Sequence, residues 1–284
     1  MAASRYSQQR LGQRGFTLVE LIIVIVVMGI LSFGMVQFIL NTSDAYSDAA
    51  RRERMGSTGR AAIEKMAREI RIALPNSARV GVSAGGIHCL EFVPVLAGSN
   101  YVDLPVLAAS DSFASIPFIN QPDLGRVAVY PLSAADIYDL AASQAVISPA
   151  VTTVAADLVS SAVVSVSFSP SSHQFPTDSP SKRWFMVDSP VSFCLDGSQL
   201  FRYQSYGFGT SQPFPDTAGP VTMPTAVPNR RLLAGNVSAE AAGVPFVVIP
   251  PTLQRNGLVQ MDLSFKSFGE GMRINHEVQL RNVP

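Results

Sequence analysis

The pattern of hydrophobic and polar positions changes character along this chain. From Leu21 to Leu40 there is no alternation, only 20 residues without a charge. At about 1.5 Å rise per residue, a helix of this length covers about 30 Å, the thickness of bilayer hydrocarbon. The run contains no proline, and Gly29 and Gly34 lack GxxxG spacing. Farther on, Met55, Gly59, Ile63, Met66, Ile70 and Leu74 recur at three-to-four spacing. That spacing predicts an amphipathic helix with the stripe packed on a core. Arg60–Glu64 and Glu64–Arg68 are the expected i,i+4 pairs on its solvent side, and Pro75 is its expected stop. Between span and stripe, Asn41-Thr42-Ser43-Asp44 reads as a new N-cap or as a brief break in one continuous helix.

From residue 76 the pattern becomes short β-like runs between turns. The predicted strands are His88–Val95, Gly125–Tyr130, Ala162–Ser169, Trp184–Leu195, Gln199–Tyr203, Val244–Ile249, Leu258–Phe268 and Met272–Leu280. Val259, Met261, Leu263 and Phe265 alternate with polar residues, and Met272, Ile274, Val278 and Leu280 share a face. Those two runs predict a C-terminal hairpin turning at Gly269-Glu270-Gly271. Asp196-Gly197-Ser198 predicts another turn. Ser169–Arg183 and the proline-rich Gln212–Asn229 read as exposed loops. Leu132–Ser161, rich in Ala, Ser and Val, fits no one state. The expected fold is α+β: a long N-terminal helix, membrane-spanning in its first half, packed on an antiparallel β-sheet head.

Charge adds an asymmetry. The 284 residues carry 21 basic and 21 acidic side chains, which gives no sign of a nucleic-acid-binding surface. Residues 1–15, however, hold Arg5, Arg10 and Arg14 and no acid; without them a formal −3 remains. The leader arginines favour a cytoplasmic N-terminus, while Arg51, Arg52 and Arg54 beyond the span nearly balance them. The two cysteines, Cys89 and Cys194, allow one disulfide in an exported chain, the alternative being two buried thiols that never meet. A loop of that length gains about 4–5 kcal/mol in the chain-entropy model.

The segment before the span carries the sharpest signal. A cleaved secretory peptide has a shorter apolar core of about 7–15 residues followed by a small-x-small site, and no Ala-x-Ala follows this run directly. A plain signal anchor explains the leader and the span but not Glu20. A carboxylate at the edge of a bilayer costs at least a few kcal/mol unless paired. No lysine or arginine lies within one turn on its C-terminal side, and Arg14 is too far upstream for an i,i+4 pair. A cation on another chain is the expected partner.

Gly15-Phe16-Thr17-Leu18-Val19-Glu20 followed by the apolar run resembles the class III signal of type IV prepilins and type II secretion pseudopilins. The resemblance implies cleavage after Gly15 by a prepilin peptidase, N-methylation of Phe16, and Glu20 facing the amino terminus of a neighbouring subunit. It implies the divisions 1–15 leader, 16–40 transmembrane half of the helix, 41–75 amphipathic half, and 76–284 periplasmic head. The expected localisation is a single-pass protein of a bacterial inner membrane, at a pilus or pseudopilus tip. The expected partners are the peptidase, other major and minor pilins and an inner-membrane assembly platform. More narrowly, Phe193-Cys194-Leu195, Leu200-Phe201-Arg202-Tyr203, Leu232-Leu233-Ala234-Gly235-Asn236-Val237 and His276-Glu277-Val278-Gln279-Leu280-Arg281-Asn282-Val283-Pro284 are similar to minor pseudopilins of the mannose-sensitive haemagglutinin (MSHA) pilus system, the MshO type. They are more loosely similar to J-type minor pseudopilins of type II secretion.

Catalytic patterns are missing from the sequence: there is no P-loop, GxGxxG, HExxH or GxSxG. His88, His173 and His276 are far apart, His88-Cys89 is not a metal-ligand spacing, and no EF-hand-like loop occurs. His276 falls on the apolar face of its strand and is expected to be a hydrogen-bonded core histidine. No enzyme, cofactor, metal or nucleic-acid partner is therefore expected. The expected function is a minor pilin or pseudopilin subunit. The alternatives are a pilus-tip adhesin or ligand-binding module and, behind it, a membrane-anchored enzyme.

Overall fold

The computed structural model describes residues 15–118, 122–142, 144–154, 163–169, 171–239, 243–252, 255–267 and 269–280. The leader arginines and the last four residues lie outside the described residues. The chain divides into two compact units, Met1–Glu53 and Arg54–Pro284.

Helix α1 (Leu18–Arg71) supplies the first unit with an apolar stretch in which every residue from Leu18 to Leu40 is exposed. It is long and apolar enough to cross a membrane. Asn41–Asp44 neither caps nor breaks it. The Thr42 hydroxyl donates to the Phe38 carbonyl at 2.7 Å, bonding back onto the preceding turn.

The second unit opens with the last turns of α1, where Gly56, Gly59, Ala62, Ile63, Met66, Ala67 and Ile70 are buried. The three-to-four periodicity puts these small and apolar side chains on one stripe. The outer face pairs Lys65 with Glu69 at 3.3 Å, and Glu69 also meets Arg202 at 2.7 Å. Glu64, expected to pair with Arg60 and Arg68, makes no ion pair among the described residues. The helix ends four residues before Pro75, tightening through Ala73 N–H to Ile70 C=O at 3.0 Å.

The strands in chain order are β1 (Arg79–Val82), β2 (His88–Phe92), β3 (Val95–Asp103), β4 (Ser112–Ser115), β5 (Arg126–Val129), β6 (Ile147–Val154), β7 (Val164–Phe168), β8 (Arg183–Val187), β9 (Val191–Asp196), β10 (Gln199–Tyr203), β11 (Arg230–Gly235), β12 (Val237–Ala239), β13 (Phe246–Ile249), β14 (Leu258–Ser267) and β15 (Glu270–Gln279), with a short helix α2 (Ala134–Tyr138) before β6. One sheet runs β1-β2-β9-β10-β11, all antiparallel. A second is centred on β14, with β15 along one side and β12 and β13 sharing the other. The helical stripe packs on both: Ile63, Met66 and Ile70 share a core with Phe92 and Phe193 of the first sheet and Met261 and Phe265 of the second.

The remaining strands close a barrel in the order β3-β4-β7-β6-β5-β8. It is an insertion into a hairpin. Phe92 pairs with Val191 at the end of β2–β9, and a few residues farther Val95 pairs with Val187 at the start of β3–β8. The barrel has its own core, where Trp184 is fully buried against Phe113 and donates its indole N–H to Ser115 Oγ at 2.8 Å. A smaller cluster, including Leu74, Val93, Tyr138 and Val187, joins the barrel to the chain just after α1.

Several expectations need correction. Trp184–Leu195 is not one strand: it divides into β8 and β9 around Pro190, whose missing N–H cannot serve a ladder. The segment 96–125 and part of 132–161 hold barrel strands β3, β4 and β6, which show no clean alternation because register shifts interrupt their pairing. Gln212–Asn229 has no strand or helix, but it is not merely exposed. Met223 is buried and Phe214 packs beside Cys89 and Cys194. His276 is half-buried on β15, and its Nε2 is buried without a hydrogen-bond partner.

A charged network holds the chain just before the proline-rich segment to the first sheet. Glu91 on β2 is completely buried opposite Arg79 on β1, with Nε–Oε2 at 2.6 Å. The other guanidinium nitrogens donate to the Gly209 and Thr210 carbonyls at 2.8 Å, and the guanidinium lies 3.5 Å from the Tyr138 ring centre. Tyr206 donates to the second Glu91 oxygen at 3.0 Å. Burial raises the Glu91 carboxyl above its ordinary range, against the opposing pull of Arg79 and Tyr206.

Removing the cation should expose that cost. Arg79→Met strands a buried carboxylate and should destabilise the fold by about 3–5 kcal/mol at neutral pH. In that variant the folded Glu91 pKa lies above its unfolded value, so the penalty applies at high pH and is relieved as pH falls through the folded pKa. Denaturation of variant and parent at several pH values should show the gap narrowing toward acid. Close packing gives a second expectation. A Cβ on Gly125 overlaps the Val187 backbone oxygen, whereas one on Gly59 meets side-chain atoms of Ile274 and Phe265 at 2.9 and 3.0 Å. Gly125→Ala should therefore cost more than Gly59→Ala, with the latter within about 1–3 kcal/mol, as read by denaturant midpoints.

Candidate processing and assembly site

The expected cleavage position lies just before α1. Gly15, Phe16 and Thr17 precede the first helical residue, Leu18, and Phe16 is 85% exposed. An uncovered glycine–aromatic junction outside the helix is accessible to a peptidase, which must take several residues of backbone out of any regular structure.

The helix begins where it does because of Thr17 and Glu20. The Thr17 hydroxyl accepts from the Glu20 N–H at 3.3 Å, and the Glu20 carboxylate accepts from the Thr17 N–H at 3.1 Å. Thr17 Oγ1 also donates to the same carboxylate oxygen at 3.2 Å. The Thr17 carbonyl takes the first helical bond, from Leu21 N–H at 3.2 Å. This reciprocal arrangement is a capping box, in which Thr at the N-cap and Glu three residues on satisfy two otherwise orphaned N–H groups. The carboxylate also lies at the positive end of the helix dipole, which favours its charge.

Thr17 is the residue that the sequence reading passed over. Charge alone leaves it unmarked, but a threonine three residues upstream of a glutamate, just before an apolar run, is itself an N-terminus signature. Within one chain Glu20 therefore has hydrogen-bond donors. Among the described residues no cation pairs with it. Cleavage after Gly15 would place a free α-amine on Phe16, next to the cap, and an amine with a pKa near ~8 is largely cationic at neutral pH. One carboxylate can then serve its own helix terminus and a cation with different lone pairs.

The other candidates sit apart from this site. Cys89 and Cys194 face each other across β2–β9 and are joined by a disulfide, with Cα atoms 4.1 Å apart. His173 Nε2 donates to the Ala145 carbonyl at 2.9 Å, and burial lowers its pKa. His88 and His276 lie on β2 and β15. Among the described residues no group of three or more His, Cys, Asp or Glu side chains is arranged to hold a metal ion.

Comparison with known families gives one match. The model described as the prokaryotic N-terminal methylation motif matches residues 10–36, which takes in the cleavage junction, the capping box and the first part of the apolar helix. No curated protein and no solved structure matches the chain. The motif, the capped start of α1 and the exposed apolar run support a type IV pilin-like precursor, of the kind processed by prepilin peptidase.

Proposed function

We propose that this chain is a minor pilin or pseudopilin subunit. Prepilin peptidase cleaves it after Gly15 and methylates Phe16. The segment 16–40 anchors it as a single-pass protein in a bacterial inner membrane, with residues 41–75 continuing the helix and 76–284 forming a periplasmic head. It then assembles with other major and minor pilins, through an inner-membrane platform, into a type IV pilus or a type II secretion-like pseudopilus, or primes one from the tip.

One observation carries this reading. The methylation motif coincides with a capped helix start that leads into an apolar run nothing in its own unit covers. Such a surface needs lipid or other helices around it. The minor role draws support from the inserted barrel: a large insertion on every copy of a repeating subunit enlarges the spacing that the helices must bridge. The patches at Phe193–Leu195, Leu200–Tyr203, Leu232–Val237 and His276–Pro284 favour the MSHA type among minor pseudopilins, ahead of the J-type subunits. The free amine at Phe16 supplies a cation for Glu20, so cleavage makes assembly possible.

Co-expression with prepilin peptidase should give a chain beginning at N-methylated Phe16, as read by intact-mass spectrometry. A mature chain with any other N-terminus overturns the reading. Two substitutions separate the roles of the capping pair. Glu20→Gln keeps an acceptor for the Thr17 N–H but loses the charge; Thr17→Ala keeps the charge but loses the hydroxyl. If charge pairing drives assembly, Glu20→Gln should reduce co-purification with partner pilins about tenfold or more. Thr17→Ala should lose only the cap, about 0.5–2 kcal/mol of helix-start stability, and leave co-purification nearly unchanged. Equal loss in both variants would sink the charge-pairing role.

A further inference from the structure

A cleft of about 810 Å³ lies beside the C-terminal end of α1, against the β3–β8 pair of the barrel. Its volume is in the range of small-ligand sites. Two guanidinium groups, Arg71 and Arg183, line it, and among the described residues no acid does. Neither guanidinium has an ion pair or hydrogen-bond partner among the described residues. Elsewhere in this unit Arg79, Arg202 and Arg273 each meet a carboxylate. Two guanidinium groups share this cleft, in a chain whose formal charge is −3 once residues 1–15 are removed.

We propose that this cleft binds a carboxylate-bearing saccharide. Two guanidinium forks are suited to a carboxylate, each able to give paired N–H donors. Gln279 adds an amide of the kind that bonds ring hydroxyls, and Asn100, whose amide nitrogen also donates to the Ser181 carbonyl at 2.9 Å, adds its remaining donor and acceptor. The partly exposed Phe185 ring and Ile72, which is 53% exposed, give the apolar surface that the C–H face of a sugar ring covers. An extended acidic peptide fits less well, because strand addition needs an unpaired edge. The floor offers little: β8 is paired on both sides, to β3 and to β5, and the other side of β3 is met at its ends by Ile72, whose carbonyl accepts from Val95 N–H at 2.9 Å, and by Ile116, whose N–H donates to the Asn100 carbonyl at 2.9 Å, which leaves only residues 96–99 open.

The test uses the full chain in detergent micelles, titrated calorimetrically with digalacturonate and with the neutral digalactoside of the same linkage. Digalacturonate should bind and the neutral sugar should bind about tenfold more weakly or not at all, given the strength of charge-assisted hydrogen bonds. Arg71→Gln and Arg183→Gln should each weaken digalacturonate about tenfold, while Arg231→Gln, on β11 and outside the cleft, should leave it unchanged. Arg71 is exposed, so its loss does not threaten folding, and equal melting temperatures check this. Absence of digalacturonate binding, equal binding of the neutral sugar, or indifference to both cleft variants overturns the proposal. The measurement needs neither cleavage nor assembly, so its failure leaves the subunit reading standing, and failed processing leaves the cleft standing.

Discussion

The pairing of β2 with β9 is the constraint on which the second unit depends. Its two strands are about a hundred residues apart in sequence, yet they lie side by side and are linked by a disulfide with a separation of 105 residues. Toward α1 the pair presents Leu90, Phe92, Phe193 and Leu195, which form much of the surface that the helical stripe covers. Its other side carries Cys89 and Cys194, packed beneath Met223 and Phe214 of the proline-rich segment. At one end it continues into the barrel. Weakening this ladder would therefore loosen the helix, the barrel stem and the long excursion together, because each buries its apolar surface against the same two strands.

How much of this was legible in the sequence depended on whether a residue's neighbours were close along the chain. The apolar span, the stripe from Gly59 to Ile70 and the β14–β15 hairpin are local patterns with a clear period, and they were readable. The barrel was not. β3 serves β8 with its first half and β4 with its second, shifting register within each pairing, so it has no single inward-facing parity. The proline-rich segment reads as solvent-exposed loop because it contains no regular element, but Gln212 at its start donates to the Cys89 carbonyl at 3.1 Å, and Arg79 holds Gly209 and Thr210 just before it. Such contacts depend on side chains more than a hundred positions away, and no periodicity encodes them. At the candidate site the reverse holds. Gly15, Phe16 and Glu20 are conspicuous by type and spacing, whereas Thr17 is marked only by the unsatisfied backbone donors of a helix start, which a reading by charge does not register.

That difference changes what Glu20 means physically. A carboxylate with no partner is a defect waiting for another molecule. A carboxylate in a capping box is already part of a stable helix start, and a neighbouring cation would add to hydrogen bonds that exist before contact. The geometry of the acid is then set in advance, so less side-chain entropy is lost when the cation arrives. Preorganisation and charge are separate contributions, one residing in Thr17 and the other in Glu20.

The insertion of the barrel also bears on the order in which the chain can fold as it is made. Synthesis proceeds from the N-terminus, so the helical stripe and β2 emerge well before β9, β14 and β15, the strands that bury them. Until then their apolar faces have no native cover, and non-local pairings of this kind close slowly. The barrel is different: all of its strands lie between β2 and β9, so it can close on itself in the meantime. When it does, it brings Val95 and Val187 together, and with them the ends of the two strands that must pair next. The barrel thereby converts a search over about a hundred residues into the zipping of a hairpin whose turn is already built.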